Sequence, residues 1–98
     1  MAYRLEFRLE ASADVAEAFS WYEERRRGLG AEFADALDST IQLITAMPAA
    51  GPVVYRGLRR ALVRRFPFAV YYLLEGEQIV VRGVLHMSRH PRVWQRRS

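Results

Sequence analysis

The hydrophobic period of this chain changes twice, and those changes constrain its fold more than any other feature. From Tyr3 to Glu10 it reads Y-R-L-E-F-R-L-E, with Tyr3, Leu5, Phe7 and Leu9 on one side and Arg4, Glu6, Arg8 and Glu10 on the other. Strict alternation of this kind predicts a strand with one buried face. The spacing then turns helical. Ser12 offers an N-cap, Asp14 and Glu17 place negative charge in the first turns, and Val15, Ala18, Phe19 and Tyr22 recur at three-and-four spacing. Arg25, Arg26 and Arg27 suit the C-terminal end of that helix's dipole, and Gly28 ends it. After the short link Leu29-Gly30, a second stripe runs through Phe33, Leu37, Ile41, Ile44 and Met47 until Pro48 stops it. Two helices so closely joined fold back as an antiparallel hairpin.

Beyond Pro48 the helical spacing is lost. The prolines and glycines between Pro48 and Gly57 predict an irregular loop. Three strands are expected next: Leu58 to Phe66, Phe68 to Leu74, and Gln78 to His86 after a turn at Glu75-Gly76-Glu77. Pro67 interrupts the ladder and predicts a bend or bulge there. The tail from Met87 to Ser98 shows no clear period, and the chain has no internal repeat or low-complexity segment. The expected class is α+β: an N-terminal strand, an antiparallel two-helix hairpin, then a three-stranded antiparallel meander forming a small sheet. The hairpin covers one sheet face. The other is expected to be solvated or covered by a partner.

A length of 98 residues, 51% of them hydrophobic and 27% charged, suits one folded domain spanning 1–98. No apolar run approaches the roughly 20 residues that cross a bilayer. Residues Met1 to Glu10 lack the uninterrupted apolar stretch of a secretion signal. Cysteine is absent, which removes disulfides, thiolate chemistry and cysteine-ligated zinc. A cytoplasmic, metal-free chain is expected. Every one of the 15 basic residues is arginine. Up to Asp38 nine acids face five arginines, net −4, whereas from Ser39 onward only Glu75 and Glu77 face ten arginines, net +8. Such polarity favours an acidic partner at the C-terminal half.

The candidate chemistry is concentrated in that half. Neither a G-x-x-x-x-G-K-[ST] loop nor a G-x-G-x-x-G turn occurs. Ser20 and Ser88 sit in no nucleophile elbow, and His86 and His90 alone make a poor metal site. Arg59, Arg60, Arg64, Arg65, Arg82, Arg89 and Arg92 surround Tyr55, Tyr71, Tyr72 and Trp94. Guanidinium groups grip phosphate or carboxylate, so this set suits RNA or an acidic peptide equally, and a solvated face is the plain alternative. Arginine stays protonated and cannot serve as a base, leaving His86 and His90 as the natural proton carriers. Strand parity would put Arg82 and His86 on one face with Val80 and Val84, with Ile79, Val81 and Leu85 opposite. Tyr22 continues the apolar stripe of its helix, while Trp21 falls at the edge of it, where tryptophan either meets a partner or covers the hairpin seam.

Three segments resemble the RelE/ParE toxins of bacterial type II toxin–antitoxin modules, in particular the ParE-like branch. They are A-x-x-W-Y-E-E-R-R-R-G-L-G-A-E-F (Ala18 to Phe33), G-L-R-R-A-L-V-R-R-F-P-F-A-V-Y-Y (Gly57 to Tyr72) and V-L-H-M-S-R-H-P-R-V-W (Val84 to Trp94). The resemblance implies a small toxin neutralised by an antitoxin whose acidic C-terminal segment folds while wrapping it. ParE-like members inhibit DNA gyrase, whereas RelE-like members cut mRNA in the ribosomal A site. The absence of lysine and the ending R-H-P-R-V-W depart from the nuclease pattern. The expectation is a non-enzymatic gyrase inhibitor paired with a ParD-like antitoxin in a hetero-oligomer, without cofactor, membrane contact or direct DNA binding by the toxin alone. The alternative is a ribosome-dependent endoribonuclease, with Arg59, Arg65 and Arg82 on phosphate and His86 or His90 moving protons. A third option is a domain that only titrates antitoxin. The antitoxin is expected on Trp21, Tyr22, Arg25, Phe33, Leu37, Arg59, Arg60, Arg64 and Arg82, and the target on Arg89, His90, Arg92 and Trp94.

Overall fold

A computed structural model describes residues 2–98. Strand β1 takes only the first half of the alternating run, Arg4–Phe7, and helix α1 already begins at Leu9 and continues to Arg25. Leu9 and Glu10 are therefore helical, not extended, and Leu9 is 87% exposed. Ser12 lies inside the helix instead of capping it, its amide bonding the carbonyl of Arg8. The reason lies in the partner strand. β1 pairs parallel with β5 (Gln78–His86) only from Arg4↔Gln78 to Phe7↔Val81, and the next residue of β5 belongs to a bulge.

Helix α2 spans Leu29–Ala46. Gly28 enters it at φ +90°, and the Glu23 carboxylate accepts from the amides of Gly28 and Gly30 at 3.0 Å each. Gly30 also lets the helices close up, because a Cβ there would stand 2.8 Å from the Phe19 carbonyl oxygen. The hairpin packs its buried stripe, Ala18, Tyr22, Phe33, Ala36, Leu37 and Ile44, onto Val63, Val70, Tyr72, Ile79, Val81 and Val84 of the sheet side. That layer is the main core.

The expected irregular loop is ordered. A 3₁₀ turn, Pro48–Ala50, leads into β2, Val53–Tyr55, which pairs with β3, Leu58–Leu62. A three-residue strand is too short for its period to show against neighbouring prolines and glycines. The sheet thus has five strands in the order β1-β5-β4-β3-β2, with β4 spanning Phe68–Glu75, and the antiparallel part has four strands, not three. β3 ends at Leu62, four residues short of the expected Phe66, and Arg65 turns the chain at φ +68°.

Pro67 lies in the bend that joins β3 to β4, as expected, and a bulge falls elsewhere, at Arg82. Tyr72 opposes Val81 while Tyr71 opposes Gly83, so Arg82 is the extra residue. It inverts the expected parity: Ile79, Val81 and Val84 join the helix-side core, and Leu85 joins a second cluster with Leu58, Ala69 and Tyr71. That second cluster sits on the face expected to be bare. The tail covers part of it with a short helix, α3, Pro91–Gln95, whose Val93 and Trp94 pack there. The Trp94 ring stacks on Tyr71 at 5.3 Å and 10°. An aperiodic tail supplies the cover that helical periodicity could not announce.

Candidate functional site

The arginines expected to act together are divided by the fold. Arg59 opposes Tyr72 on the helix side, and its guanidinium donates to the carbonyls of Ala49 at 3.0 Å and Gly51 at 2.7 Å. It ties down the segment before β2. Tyr72 donates from its hydroxyl to the Pro48 carbonyl at 2.7 Å. Burial raises the Tyr72 hydroxyl above its usual range, partly offset by Arg59 and by the backbone at Gly51, so it stays a donor at neutral pH. Arg60 opposes Tyr71 on the other face and is half-buried, while Arg64 and Arg65 are exposed in the β3–β4 turn. Arg82 is half-buried, and its Nε is a buried atom without a hydrogen-bond partner.

His86 opposes Phe68, four residues along β4 from Tyr72, which puts the His86 and Arg59 backbones about 13 Å apart along the strand. The histidines are also committed. Nδ1 of His86 accepts from the Ser88 amide at 3.0 Å, and Nδ1 of His90 accepts from the Arg92 amide at 3.2 Å. In each neutral ring the proton therefore sits on Nε2, so neither nitrogen presents a free lone pair. Arg59, Arg65, Arg82, His86 and His90 do not converge into one nuclease constellation.

Three residues expected at a partner interface belong to the core. Phe33 is 0% exposed, Leu37 6% and Tyr22 9%. Tyr22 stacks on Phe33 at 5.4 Å, and Phe33 in turn meets Phe66 and Phe68. Their stripe was legible, but a stripe shows only which side is apolar. Trp21 is the most exposed aromatic of α1, ahead of Phe19, with the Arg25 guanidinium carbon 3.9 Å from its ring centroid. It borders a groove of about 360 Å³ with Glu17, Phe68, His86 and Arg89. Arg89, His90 and Arg92 are exposed on the tail, whereas Trp94 is half-buried against Tyr71.

A second groove, about 350 Å³, runs between the end of α2 and β3. Leu43, Met47 and Leu62 form its lips at 66%, 67% and 59% exposure, and Ile44, Ala61 and Tyr72 also line it. Met47 continues the apolar stripe of α2 yet is exposed, and Leu43 falls off that stripe. One signal was available. Between Asp38 and Glu75 the chain carries no acid and five arginines, and every lining residue of this groove comes from that stretch.

Comparison with known proteins decides the family. The family described as the ParE toxin of the type II toxin–antitoxin system, parDE, matches residues 5–91. The chain belongs to the ParE toxin family. A solved structure of the chromosomal ParDE TA system from P. aeruginosa contains a chain of the same fold, 18% identical, with a TM-score of 0.76 over 87% of this chain and 96% of that one. A search of curated proteins found no match. ParE membership makes this the toxin side of a toxin–antitoxin pair, so an antitoxin partner is implied. No helix among the described residues is long and apolar enough to cross a membrane.

Proposed function

We propose that this ParE-family chain arrests growth by binding DNA gyrase, and that a ParD-like antitoxin neutralises it by laying an acidic, amphipathic segment into the α2–β3 groove. The groove itself carries the antitoxin half of this reading. Three large apolar side chains stand out of water along a cleft drawn from an acid-free stretch, with Arg64 exposed in the turn just beyond β3 and Arg60 lending the cleft its backbone while its side chain takes the opposite face. An apolar stripe with carboxylates beside it matches that cleft in both shape and charge. Trp21 and Arg25 extend the contact around the hairpin. Arg59 supports it from within by holding the backbone before β2, whereas Arg82, at the β5 bulge, is separated from β3 by β4.

Binding rather than catalysis is supported by the spread of the arginines and by histidines whose Nδ1 atoms are occupied. In the cytoplasm the toxin is held inactive in a hetero-oligomer with its antitoxin, and once released it meets gyrase through the exposed tail. The test pairs a gyrase supercoiling assay with in vitro translation. Purified toxin is expected to inhibit supercoiling and leave mRNA intact, with antitoxin restoring activity. Untouched supercoiling beside cleaved mRNA would reverse the assignment to the endoribonuclease, and an overexpressed copy that permits normal growth would leave only antitoxin titration.

A further inference from the structure

β1 leaves β5 after Val81, and the polar groups of β5 beyond that point need other partners. Two side chains distant in sequence supply them. The Asp14 carboxylate on α1 accepts from the Val84 amide at 3.0 Å, and Nη1 of Arg97 donates to the Arg82 carbonyl at 2.9 Å. Asp14 and Arg97 also pair with each other, Nη1 to Oδ2 at 2.8 Å and Nη2 to Oδ1 at 3.3 Å, across 83 residues of chain. Their side chains are only 14% and 17% exposed. Gly83 leaves room for the guanidinium, since a Cβ there would stand 2.9 Å from Nη1 of Arg97. The hydrogen bond to Asp14 is the main cause holding the Arg97 guanidinium above its ordinary range.

The clasp closes a segment otherwise held by the packing of Val93 and Trp94. α3 has five residues and none is fully buried. From Gln78 to Ser98 the chain contains no acid, and Arg89, His90, Arg92 and Arg96 are all exposed. Asp14 is already occupied by Arg97, so it does not neutralise these exposed groups. The exposed tail and the α2–β3 groove also belong to different parts of the sheet. Trp94 packs on the second cluster, whereas the groove contains Ile44 and Tyr72 of the helix-side core.

We propose that Asp14 and Arg97 are positioning residues: their clasp holds the tail as a preformed cationic ridge, Arg89, His90, Arg92 and Arg96, that engages an acidic face of the toxin's target protein. The inference rests on the reading of this chain as an active toxin. A tail ordered beforehand avoids the loss of backbone and side-chain freedom that would otherwise accompany binding. Arg97 lies beyond residues 5–91, the span over which the family matches.

The test uses Arg97→Gln, which leaves the Asp14–Val84 bond in place, together with Arg97→Lys and the ridge variant Arg92→Glu. The readouts are growth arrest on induction without antitoxin, hydrogen exchange of residues 91–98, thermal melting, and inhibition of DNA gyrase supercoiling. Arg97→Gln is expected to lower growth arrest at least tenfold and to speed tail exchange at least tenfold, while the core melts within a few degrees of wild type. Arg97→Lys keeps the ion pair without the fork and is expected to recover part of the arrest; Arg92→Glu is expected to lose arrest with tail protection unchanged. Wild-type arrest by Arg97→Gln, or an unchanged tail exchange, overturns the proposal. Loss of arrest together with collapse of the core in both Arg97 variants also overturns it, because the role is then merely structural. RNA binding that falls in step with arrest in Arg92→Glu would put RNA on the ridge and reject an acidic protein face. Wild-type arrest without any effect on supercoiling rejects gyrase as the target but leaves the clasp to be judged by arrest itself.

Discussion

The two faces of the sheet are finished by different means. On the helix side, two long helices bury a continuous layer in which Phe33, Ile79 and Val81 are all 0% exposed. On the other side, a cluster of four buried residues is covered in part by a short tail helix, one ring stack and one ion pair. The first arrangement spreads its stabilisation over many apolar contacts, so loss of any one large side chain weakens the whole fold. The second gathers it at a few points, so the tail can loosen while the rest stays folded. The division leaves a cooperative body and an edge whose order depends on a few nameable contacts.

The comparison breaks most sharply at Phe33. Phe33→Ala removes a ring in contact with Tyr22, Phe66 and Phe68 and is expected to cost about 3–5 kcal/mol, read from urea unfolding with every probe moving together. A milder, local loss there would mean that the helix-side layer is not one cooperative unit. The groove beside that layer should behave in the opposite way. Leu43→Glu with Met47→Glu changes two exposed side chains, so stability is expected to stay within about 1 kcal/mol while affinity for antitoxin falls about a hundredfold in titration calorimetry, equivalent to about 2.7 kcal/mol. Unchanged affinity would remove the groove from the interface.

Trp94→Ala tests the second face directly. It is expected to cost about 2 kcal/mol, from lost area and the stack on Tyr71, with exchange rising first in residues 91–98 and around Tyr71. Uniform destabilisation instead would show that both faces share one cooperative fate. The smallest effect is an alkaline one. Burial raises the Tyr72 hydroxyl above its ordinary value of 10.0, so the unfolded chain releases that proton first as pH rises. The contribution is fully present below pH 10.0 and is lost as the pH climbs toward the folded value. Melts from pH 8 upward should therefore be flat in this respect until about pH 10 and then fall, less steeply in Tyr72→Phe.

Much of the fold could be read locally. The stripe through Tyr22, Phe33, Leu37 and Ile44 is buried where its period put it, but α1 already ends at Arg25, and the link is Arg26 to Gly28, with Leu29 and Gly30 opening α2. The same rule failed at Leu9, whose apolar character continues the strand pattern although the strand has already lost its partner. It failed again at Met47, where α2 runs along the open groove and the side chain finds no cover. For the proposed antitoxin contact, charge is the sequence feature that points to the groove. The acid-free stretch from Ser39 to Leu74 marked the groove, whereas the core positions Phe33 and Leu37 could not be told from contact positions by apolarity alone.

By itself, then, the sequence determined the two long helices and the strands β1, β3, β4 and β5, though not β2 or α3, because hydrophobic period and turn chemistry act between near neighbours and need several residues to show. It also determined where positive charge accumulates. Only the tertiary structure decided which side each strand residue takes after Val81, because one extra residue at Arg82 reverses the alternation beyond it. It alone joined Asp14 to Arg97, since a pair separated by 83 residues leaves no local period or spacing to announce it.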